Sequence, residues 1–308
     1  MLELVQVLYE GWVCSVVNRQ GLRAAGAVSV AAAMTGLLAG LLSGCSSAGS
    51  GSSSDAAAAA AKAGSSDTLA ADPLTAVRNA ADITGRTGSV QDTTTLQTSS
   101  PSKKVTLHGT GVYDYSTRLG RMEVTVPPGG STTGKLVEVV SPGIVYMQNS
   151  GAKVPAGKWV EVNVQQLADG NLVSSGATDP ASAANALRGV LTAKLVDSST
   201  VGGVLLKHYK GTLDLAKASA ATGGGAGAGL ALGARTFTVK QVPYEVWLDA
   251  HGRIHRITED FTFSQVAGST AAKDQVQVVS DSVFSDFGVP VKVSLPASKD
   301  IYGAQSSK

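Results

Sequence analysis

The chain has 308 residues, two cysteines and an almost balanced charge, with 25 Lys and Arg against 23 Asp and Glu. It carries no basic run of the kind that binds nucleic acids, so we expect no nucleic-acid partner. Cys14 precedes a predicted cleavage site and Cys45 directly follows it. The mature domain is therefore predicted to lack disulfides, thiolate metal sites and cysteine nucleophiles.

Residues 1–44 are predicted to be a signal peptide. Arg19 and Arg23 precede the apolar stretch AAGAVSVAAAMTGLLAG, which leads into Leu-Leu-Ser-Gly-Cys. A basic start, an apolar centre and a small-residue end are the parts of an export signal. The uncharged stretch 24–45 is also long enough for a membrane-spanning helix. Leu42-Ser43-Gly44-Cys45 favours the signal peptide, because it resembles the bacterial lipobox, in which the Cys thiol receives a diacylglycerol.

Cys45 is the predicted lipidation site, and acyl chains such as palmitate would anchor the protein there. Each buried methylene stabilises membrane attachment by ~0.8 kcal/mol, so two or more chains hold it firmly. The predicted location is the extracytoplasmic face of the cell membrane. Residues 1–16 fit this scheme poorly, since Glu3 and Glu10 replace a basic start. We therefore hypothesise that translation begins at Val16 or Val17.

Residues 45–71 are predicted to form the lipidated end and a flexible tether. The Ser, Gly and Ala that dominate this segment bury too little apolar surface to fold. A flexible coil of this length spans about 25–30 Å. The tether would hold the folded domain clear of the headgroups and still close to the membrane.

Two helices are predicted, each opened by Asp-Pro. Asp is a good N-cap and Pro fits the first helical position. The first helix starts at Asp72-Pro73 and ends at Gly85. The second starts at Asp179-Pro180 and carries Ala183, Leu187, Val190 and Leu191.

Most of the remaining sequence predicts strands, because apolar and polar residues alternate between turn signals. About nine strands in antiparallel hairpins are expected, which gives an α+β fold with one large antiparallel sheet. The Gly/Ala-rich segment 216–235 is predicted to be a loop insert. Its glycines could suggest a phosphate-binding loop, but no Lys-Ser or Lys-Thr follows them and no strand leads directly into them.

The order of these features resembles the actinobacterial LppX/LprG group of lipoproteins, which is related to the LolA and LolB carriers. The phrases that carry the resemblance are 109–113, 209–213 and the hairpin 246–254, and the likeness covers residues 72–303. It implies an open half-barrel, in which a curled sheet holds helices on its concave side around an apolar cavity. Members of the group carry lipids or acylated glycolipids there. The insert 216–235 leaves the size of the cavity open.

The cavity candidates are apolar residues of the predicted strand faces, with two residues of the second helix as the facing wall. A filled core requires the same alternation, so the sequence leaves both interpretations open. The strand candidates are Leu107, Met122, Val124, Val139, Val145, Met147, Val160, Val162, Leu205, Val246, Leu248, Ile257 and Phe261, and the wall candidates are Leu187 and Leu191.

No catalytic or metal-binding pattern is recognised, so neither an enzyme nor a cofactor is predicted. His251 and His255 flank a turn at Gly252, which separates them and disfavours a metal pair. No nucleophile-elbow pattern occurs. Asp249, Glu259 and Asp260 are interpreted as solvated charges. Trp159 and Trp247 are interpreted as core or rim aromatics rather than stacking platforms.

Two functions follow from the sequence. The first is a non-enzymatic, membrane-anchored protein that binds or shuttles a lipid or lipoglycan in an apolar cavity. The second is a sensor or interaction module that regulates a membrane partner such as a transporter and carries no lipid. A hydrolase is disfavoured for want of a catalytic constellation.

Overall fold

The computed structural model describes residues 68–127, 134–149, 154–173, 179–265 and 269–303. The predicted signal peptide 1–44, Cys45 and most of the tether lie outside these residues. Those assignments stay predictions. Within the described ranges, no helix is long and apolar enough to cross a membrane.

One antiparallel sheet of eleven strands dominates the fold. Its spatial order is β6-β5-β4-β3-β2-β1-β11-β10-β9-β8-β7. The chain therefore builds outward from β1 to one edge, returns at the other edge as β7, and closes inward until β11 pairs with β1. The strands are β1 Ser89–Ser99, β2 Lys104–Asp114, β3 Leu119–Val126, β4 Gly134–Ser141, β5 Ile144–Gln148, β6 Trp159–Asn163, β7 Val190–Val201, β8 Val204–Leu213, β9 Val242–Leu248, β10 Ile254–Ser264 and β11 Gln275–Ser285.

The two predicted Asp-Pro helices are confirmed as α1 Pro73–Gly85 and α2 Pro180–Ala186. The Asp72 carboxylate accepts from the Thr75 amide at 2.8 Å, which caps α1. Asp179 caps α2 in the same way. The second helix is shorter than predicted, since Val190 and Leu191 already belong to β7.

The predicted loop at 216–235 is wrong, because the segment forms α3 Leu215–Thr222 and α4 Gly224–Thr236. Asp214 caps α3 by accepting from the amides of Ala216 and Lys217 at 2.8 and 3.1 Å. In α4, a Cβ on Gly233 would lie 2.6 Å from Leu172, so the glycine permits close packing. This packing outweighs the low helix propensity of glycine.

The predicted curled half-barrel is also incorrect, since the sheet is open and not strongly curled. Bulges bend strands. The pairings from β1 to β6 run in continuous register, and the register shifts fall at two places in the β7–β8 pairing and at the start of β10. The β1–β6 half of the sheet therefore has no β-bulges of the kind that would curl it around the helices.

Strands β1 and β7 are not among the roughly nine strands that the sequence predicts. Strand β1 reads SVQDTTTLQTS, in which polar residues occupy both faces. Strand β7 is exposed along most of its length, so it has no continuous apolar face. Both strands take their conformation from their neighbours in the sheet.

Residues 286–303 form a strap that crosses the β1–β6 half of the sheet. The Gly288 amide donates to the Ser89 carbonyl at 2.9 Å, and the Tyr302 amide donates to the Trp159 carbonyl at 2.7 Å. Ser89 begins β1 and Trp159 begins β6 at the sheet edge. Residues 291–295 of this strap are chain outside the sheet.

The main core lies between α1–α4 and the β7–β11 half of the sheet. Helix α1 packs on β7, β9 and β10, and α2 packs on β10 and β11. Phe237, which follows α4, stacks on Phe261 of β10 with ring centroids 4.6 Å apart. The sheet face that carries this core is called the inner face.

Candidate functional site

Six cavity candidates gather on the inner face of β3, β5 and β6. Val145 lies opposite Val162 and Met147 lies opposite Val160. With Leu136 and Leu167 they form one buried group, the Met/Val cluster, and Leu107 packs against it. The cluster consists of Met122, Val124, Leu136, Val145, Met147, Val160, Val162 and Leu167.

Five further candidates belong to the main core beneath the helices: Leu187, Val246, Leu248, Ile257 and Phe261. Leu191 is half-buried at the start of β7 rather than on a helix. A filled core and an occupied cavity both bury such residues. Their role in lining a cavity therefore stays a prediction.

Two candidates lie elsewhere. Leu205 is 58% exposed near the β7–β8 turn, where Val201 is also 60% exposed, so it lies away from any interior. Val139 lies opposite Tyr146, whereas its neighbour Val140 lies opposite Val145 of the Met/Val cluster. Successive residues of a strand alternate between faces. Val139 is therefore buried on the outer face.

A row of buried polar residues crosses the inner face at the centre of the sheet. Thr94 of β1 lies opposite Ser282 of β11, and Ser280 of β11 lies opposite Glu259 of β10. Asp92 continues the row two residues from Thr94. All five side chains are at most 2% exposed. We call Asp92, Thr94, Ser280, Ser282 and Glu259 the polar stripe.

The interpretation of Glu259 as a solvated charge is wrong. The residue is 1% exposed, and neither carboxyl oxygen has a hydrogen-bond partner. Burial raises the pKa of Glu259 to about 8. The side chain is therefore neutral at pH 7 and presents an O–H donor as well as acceptor oxygens.

Asp92 has the same character at the other end of the stripe. It is fully buried, and both carboxyl oxygens lack a partner. Burial, with the nearby charges of Asp179 and Asp281, raises the pKa of Asp92 well above its usual range. An unsatisfied buried polar group costs ~1–3 kcal/mol, so these two acids oppose stability.

Asp249 was also interpreted as solvated, and this too is wrong. It is 2% exposed and accepts from the His251 amide at 2.9 Å, Arg253 Nε at 2.6 Å and His255 Nε2 at 3.2 Å. Burial alone would raise its pKa, but hydrogen bonds from His255 and Arg253 lower the pKa below its usual range. Asp249 therefore holds the hairpin turn.

Of the two histidines of this hairpin, His255 is bound to Asp249. Across the part of the chain that the structure describes, no group of three or more His, Cys, Asp or Glu is placed to hold a metal ion. Asp260 is half-buried and accepts from Gln277 Nε2 at 2.6 Å. The hydrogen bonds of His255 and Asp260 thus connect them to nearby residues of the same hairpin and of the neighbouring strand.

Trp247 is not an open stacking platform. Its ring lies between His208 of β8, stacked with centroids 4.1 Å apart, and the Arg256 guanidinium of β10, 4.7 Å from the ring centroid. Trp159 is half-buried and pairs with Ile301 of the strap. Both side chains are half-buried, and the sequence interpretation had left core and rim positions open.

A groove of about 350 Å³ opens between α1, α2 and the end of β2. Tyr113 and Tyr115 line it, with ring centroids 5.2 Å apart. Arg188 of the turn after α2 bonds Asp82 of α1 at 2.6 Å across it. The Tyr115 hydroxyl is buried without a partner, and burial, with the Asp92 charge, raises its pKa. The groove therefore approaches the Asp92 end of the polar stripe.

The polar stripe was missed although the sequence carries a signal for it. Asp92 lies two residues from Val90 and Thr94, and Glu259 lies two residues from Ile257 and Phe261. Residues i and i+2 of a strand share a face. Each acid therefore belongs to the buried face of its strand, and charge alone was an unreliable guide.

Comparisons with known proteins find no matching family model and no matching curated protein. Among solved structures, the chain is similar to lipoprotein LppX of Mycobacterium tuberculosis, at 14% identity and a TM-score of 0.44 over 72% of this chain and 97% of that chain. It is similar to LprF of Mycobacterium bovis, at 13% identity and a TM-score of 0.41 over 75% and 99%. A LolA superfamily protein of Nitrosomonas europaea gives 11% identity and a TM-score of 0.29 over 70% and 93%. These likenesses agree with the predicted resemblance and concern the fold alone.

Proposed function

We propose that the chain is a non-enzymatic, membrane-anchored lipoprotein that binds or shuttles a lipid on the inner face of its sheet. The Met/Val cluster carries this proposal. It is a buried group of apolar side chains on β3–β6, interrupted by the buried Glu138 of β4, which lies between Met122 and Met147, whereas α1 and α2 pack on β7 and β9–β11. An apolar surface beside polar groups is what an amphiphilic ligand requires.

The composition of the cluster supports a binding role. It contains two methionines, four valines and two leucines and no aromatic ring. Methionine is flexible and polarisable, so it adapts to ligands of varied shape. Acyl chains of differing length could lie against such a surface without a large cost in strain.

The predicted anchor agrees with this proposal. A lipid on Cys45 and the tether 45–71 would keep the domain within tens of ångströms of the bilayer. The proposed cargo, a lipid or an acylated glycolipid, is found in that bilayer. The proposed location is accordingly the extracytoplasmic face of the cell membrane.

The test is to purify residues 46–308, extract the protein with organic solvent and identify the released lipids by mass spectrometry. The double variant Val145→Thr/Val162→Thr keeps the shape of the cluster and adds two hydroxyls. We expect it to release about tenfold less lipid, because buried hydroxyls without partners are unfavourable against acyl chains.

The matched control is Val137→Thr/Val139→Thr, which changes two buried valines of β4 on the outer face. It should lose similar stability and keep its lipid. Absence of lipid from the wild-type protein, or an equal loss in both double variants, would refute the proposal.

A second function, an interaction module that regulates a membrane partner, is favoured by one observation. The β7–β8 hairpin exposes Leu195, Val196, Val201 and Leu205 by 40–60%. Photo-crosslinking in cells from position 205 would test it. A single crosslinked protein together with lipid-free domain would support this function over lipid binding.

A further inference from the structure

The polar stripe runs between the centre of the sheet and α2. It crosses β1, β11 and β10, and α2 packs on β10 and β11. Val246, Ile257, Phe261 and Phe284 of the main core belong to the same inner face. A polar row in such surroundings requires hydrogen-bond partners, because desolvation penalises each unpaired group.

In the middle of the stripe, Ser282 Oγ lies 3.3 Å from Thr94 Oγ1. At its ends, the four carboxyl oxygens of Asp92 and Glu259 have none, and the hydroxyl of Tyr115 near Asp92 has none either. The unpaired atoms therefore stand at both ends of a row whose centre is satisfied.

A single bound cation does not account for these atoms. Asp92 and Glu259 are separated by two strand spacings and by four residues along the strands. At ~4.8 Å per strand and ~3.3 Å per residue, their α-carbons lie roughly 16 Å apart. One ion cannot contact both acids, whereas an extended ligand with several polar groups can.

Both acids are buried and lack hydrogen-bond partners, which favours their neutral forms and so constrains the chemistry of that ligand. A neutral carboxyl donates one hydrogen bond and accepts others. A hydroxyl group does both as well, so it complements a neutral carboxyl fully. A charged headgroup would be placed in a desolvated site without a counter-ion, which is unfavourable.

The Met/Val cluster begins next to the stripe. Asp92 lies opposite Gly111, which lies opposite Met122 of the cluster. A Cβ on Gly111 would lie 2.3 Å from Met122 Sδ, so the Met122 side chain covers the glycine. An apolar surface for chains and a polar row for a headgroup thus adjoin on one face.

We propose that the polar stripe binds an uncharged, hydroxyl-bearing headgroup, such as glycerol or a sugar, with Asp92 and Glu259 exchanging hydrogen bonds with its hydroxyls. This inference rests on the proposed lipid binding and assigns the orientation of the cargo: headgroup on the stripe, acyl chains on the Met/Val cluster. Since the stripe is buried, α2 has to move from β10 and β11 to admit the headgroup.

The experiment uses two probes with identical acyl chains, 1,2-dipalmitoylglycerol and its 3-O-methyl ether. Affinities are measured by displacement of a fluorescent fatty acid from the full-length lipoprotein in detergent. The wild-type protein should prefer the free hydroxyl by at least about threefold, as expected for one neutral hydrogen bond. Asp92→Leu/Glu259→Leu should bind both probes equally and retain its affinity for the ether.

Two further variants separate recognition from structural support. Asp92→Asn/Glu259→Gln keeps uncharged hydrogen-bonding groups, so it should keep most of the preference. Thr93→Leu places the same apolar side chain on the exposed outer face beside Asp92 and should change nothing. The melting temperature of the lipid-free Leu variant should rise, because its two unpaired acids are gone.

The outcomes distinguish the two proposals. If neither probe binds the wild-type protein, the proposed lipid binding fails. If both probes bind the wild-type protein equally, or if the Leu variant keeps the preference, lipid binding stands and the stripe is not its headgroup site. A fall in the melting temperature of the lipid-free Leu variant would show that the acids stabilise the fold, and would overturn the assignment.

Discussion

The two halves of the inner face are built from different residues. The β7–β11 half packs Phe237, Phe261 and Phe284 under four helices, and Phe237 stacks on Phe261. The β3–β6 half carries the Met/Val cluster, whose side chains are smaller or more flexible. We therefore expect the β7–β11 half to contribute more to the stability of the domain, and the β3–β6 half to adapt to the proposed lipid.

The largest effect is expected when an aromatic ring is removed from the core of the β7–β11 half, which we call the aromatic half. Phe261→Ala removes a fully buried ring that stacks on Phe237, and should lower the free energy of unfolding by ~3–5 kcal/mol. Met147→Ala in the Met/Val cluster should cost closer to ~2 kcal/mol, because its surroundings can relax. Urea denaturation of both variants measures the difference. If both variants lost the same free energy of unfolding, the two halves would not differ in how much they stabilise the domain.

The next effect concerns Glu259, whose pKa is raised to about 8 by burial. Between the unfolded value of 4.5 and about 8, the folded protein holds a proton that the unfolded chain has lost. The free energy of unfolding therefore falls as pH rises through this window and levels off above it. At up to ~1.4 kcal/mol per pH unit, the wild-type protein should lose about 2–3 kcal/mol more than Glu259→Gln between pH 5.5 and 7.5.

Urea titrations of both proteins at a series of pH values check this prediction. Asp92 and Asp179 also have raised pKa values, so they add to the slope in both proteins and cancel in the difference. Asp249 has a lowered pKa, so it alters stability only at pH values below about 3.8, the usual pKa of an Asp side chain. Parallel pH profiles for the two proteins would contradict the assignment of Glu259 as a buried neutral acid.

The smallest effect is expected at the ion pair that joins the two helices above the aromatic half. Arg188→Gln removes the 2.6 Å contact with Asp82, whose side chain is 54% exposed. Solvent screening limits such a pair to ~0.5–1 kcal/mol, and the loss should shrink in 1 M salt. Thermal unfolding at low and high salt measures it. A larger loss that salt does not change would mean that Arg188 acts through packing instead.

The parts of the fold that were predicted correctly depend on neighbouring residues. Asp72-Pro73 and Asp179-Pro180 open helices because capping is a local interaction, and the turn at 249–252 joins β9 to β10 for the same reason. Strand β1 and helix α4 were missed because distant contacts form them. The close approach of Gly229 to Gly170 is one such contact, and the sequence gives no local sign of it.

The candidate site was predicted only in its apolar part. Alternation identified Met122, Val145 and Val162 as inner-face residues, and the structure brings them together. The acids of the polar stripe also follow the alternation, but their charge suggested solvent. An unpartnered buried carboxyl is recognised only once the neighbouring strands are known, since register decides which groups meet.

The strap 286–303 also bears on how neighbouring molecules behave at a membrane. An open sheet has two edges, and an edge with free backbone groups can recruit a strand from another molecule. Here Ile301 bridges to Trp159 on β6, and the β7 edge is made irregular by two register shifts. The proposed anchor would confine neighbouring molecules to two dimensions, which would favour edge-to-edge assembly. Residues 286–303 thus occupy part of the β6 edge, and we expect their removal to yield fibrils or clusters rather than an unfolded chain.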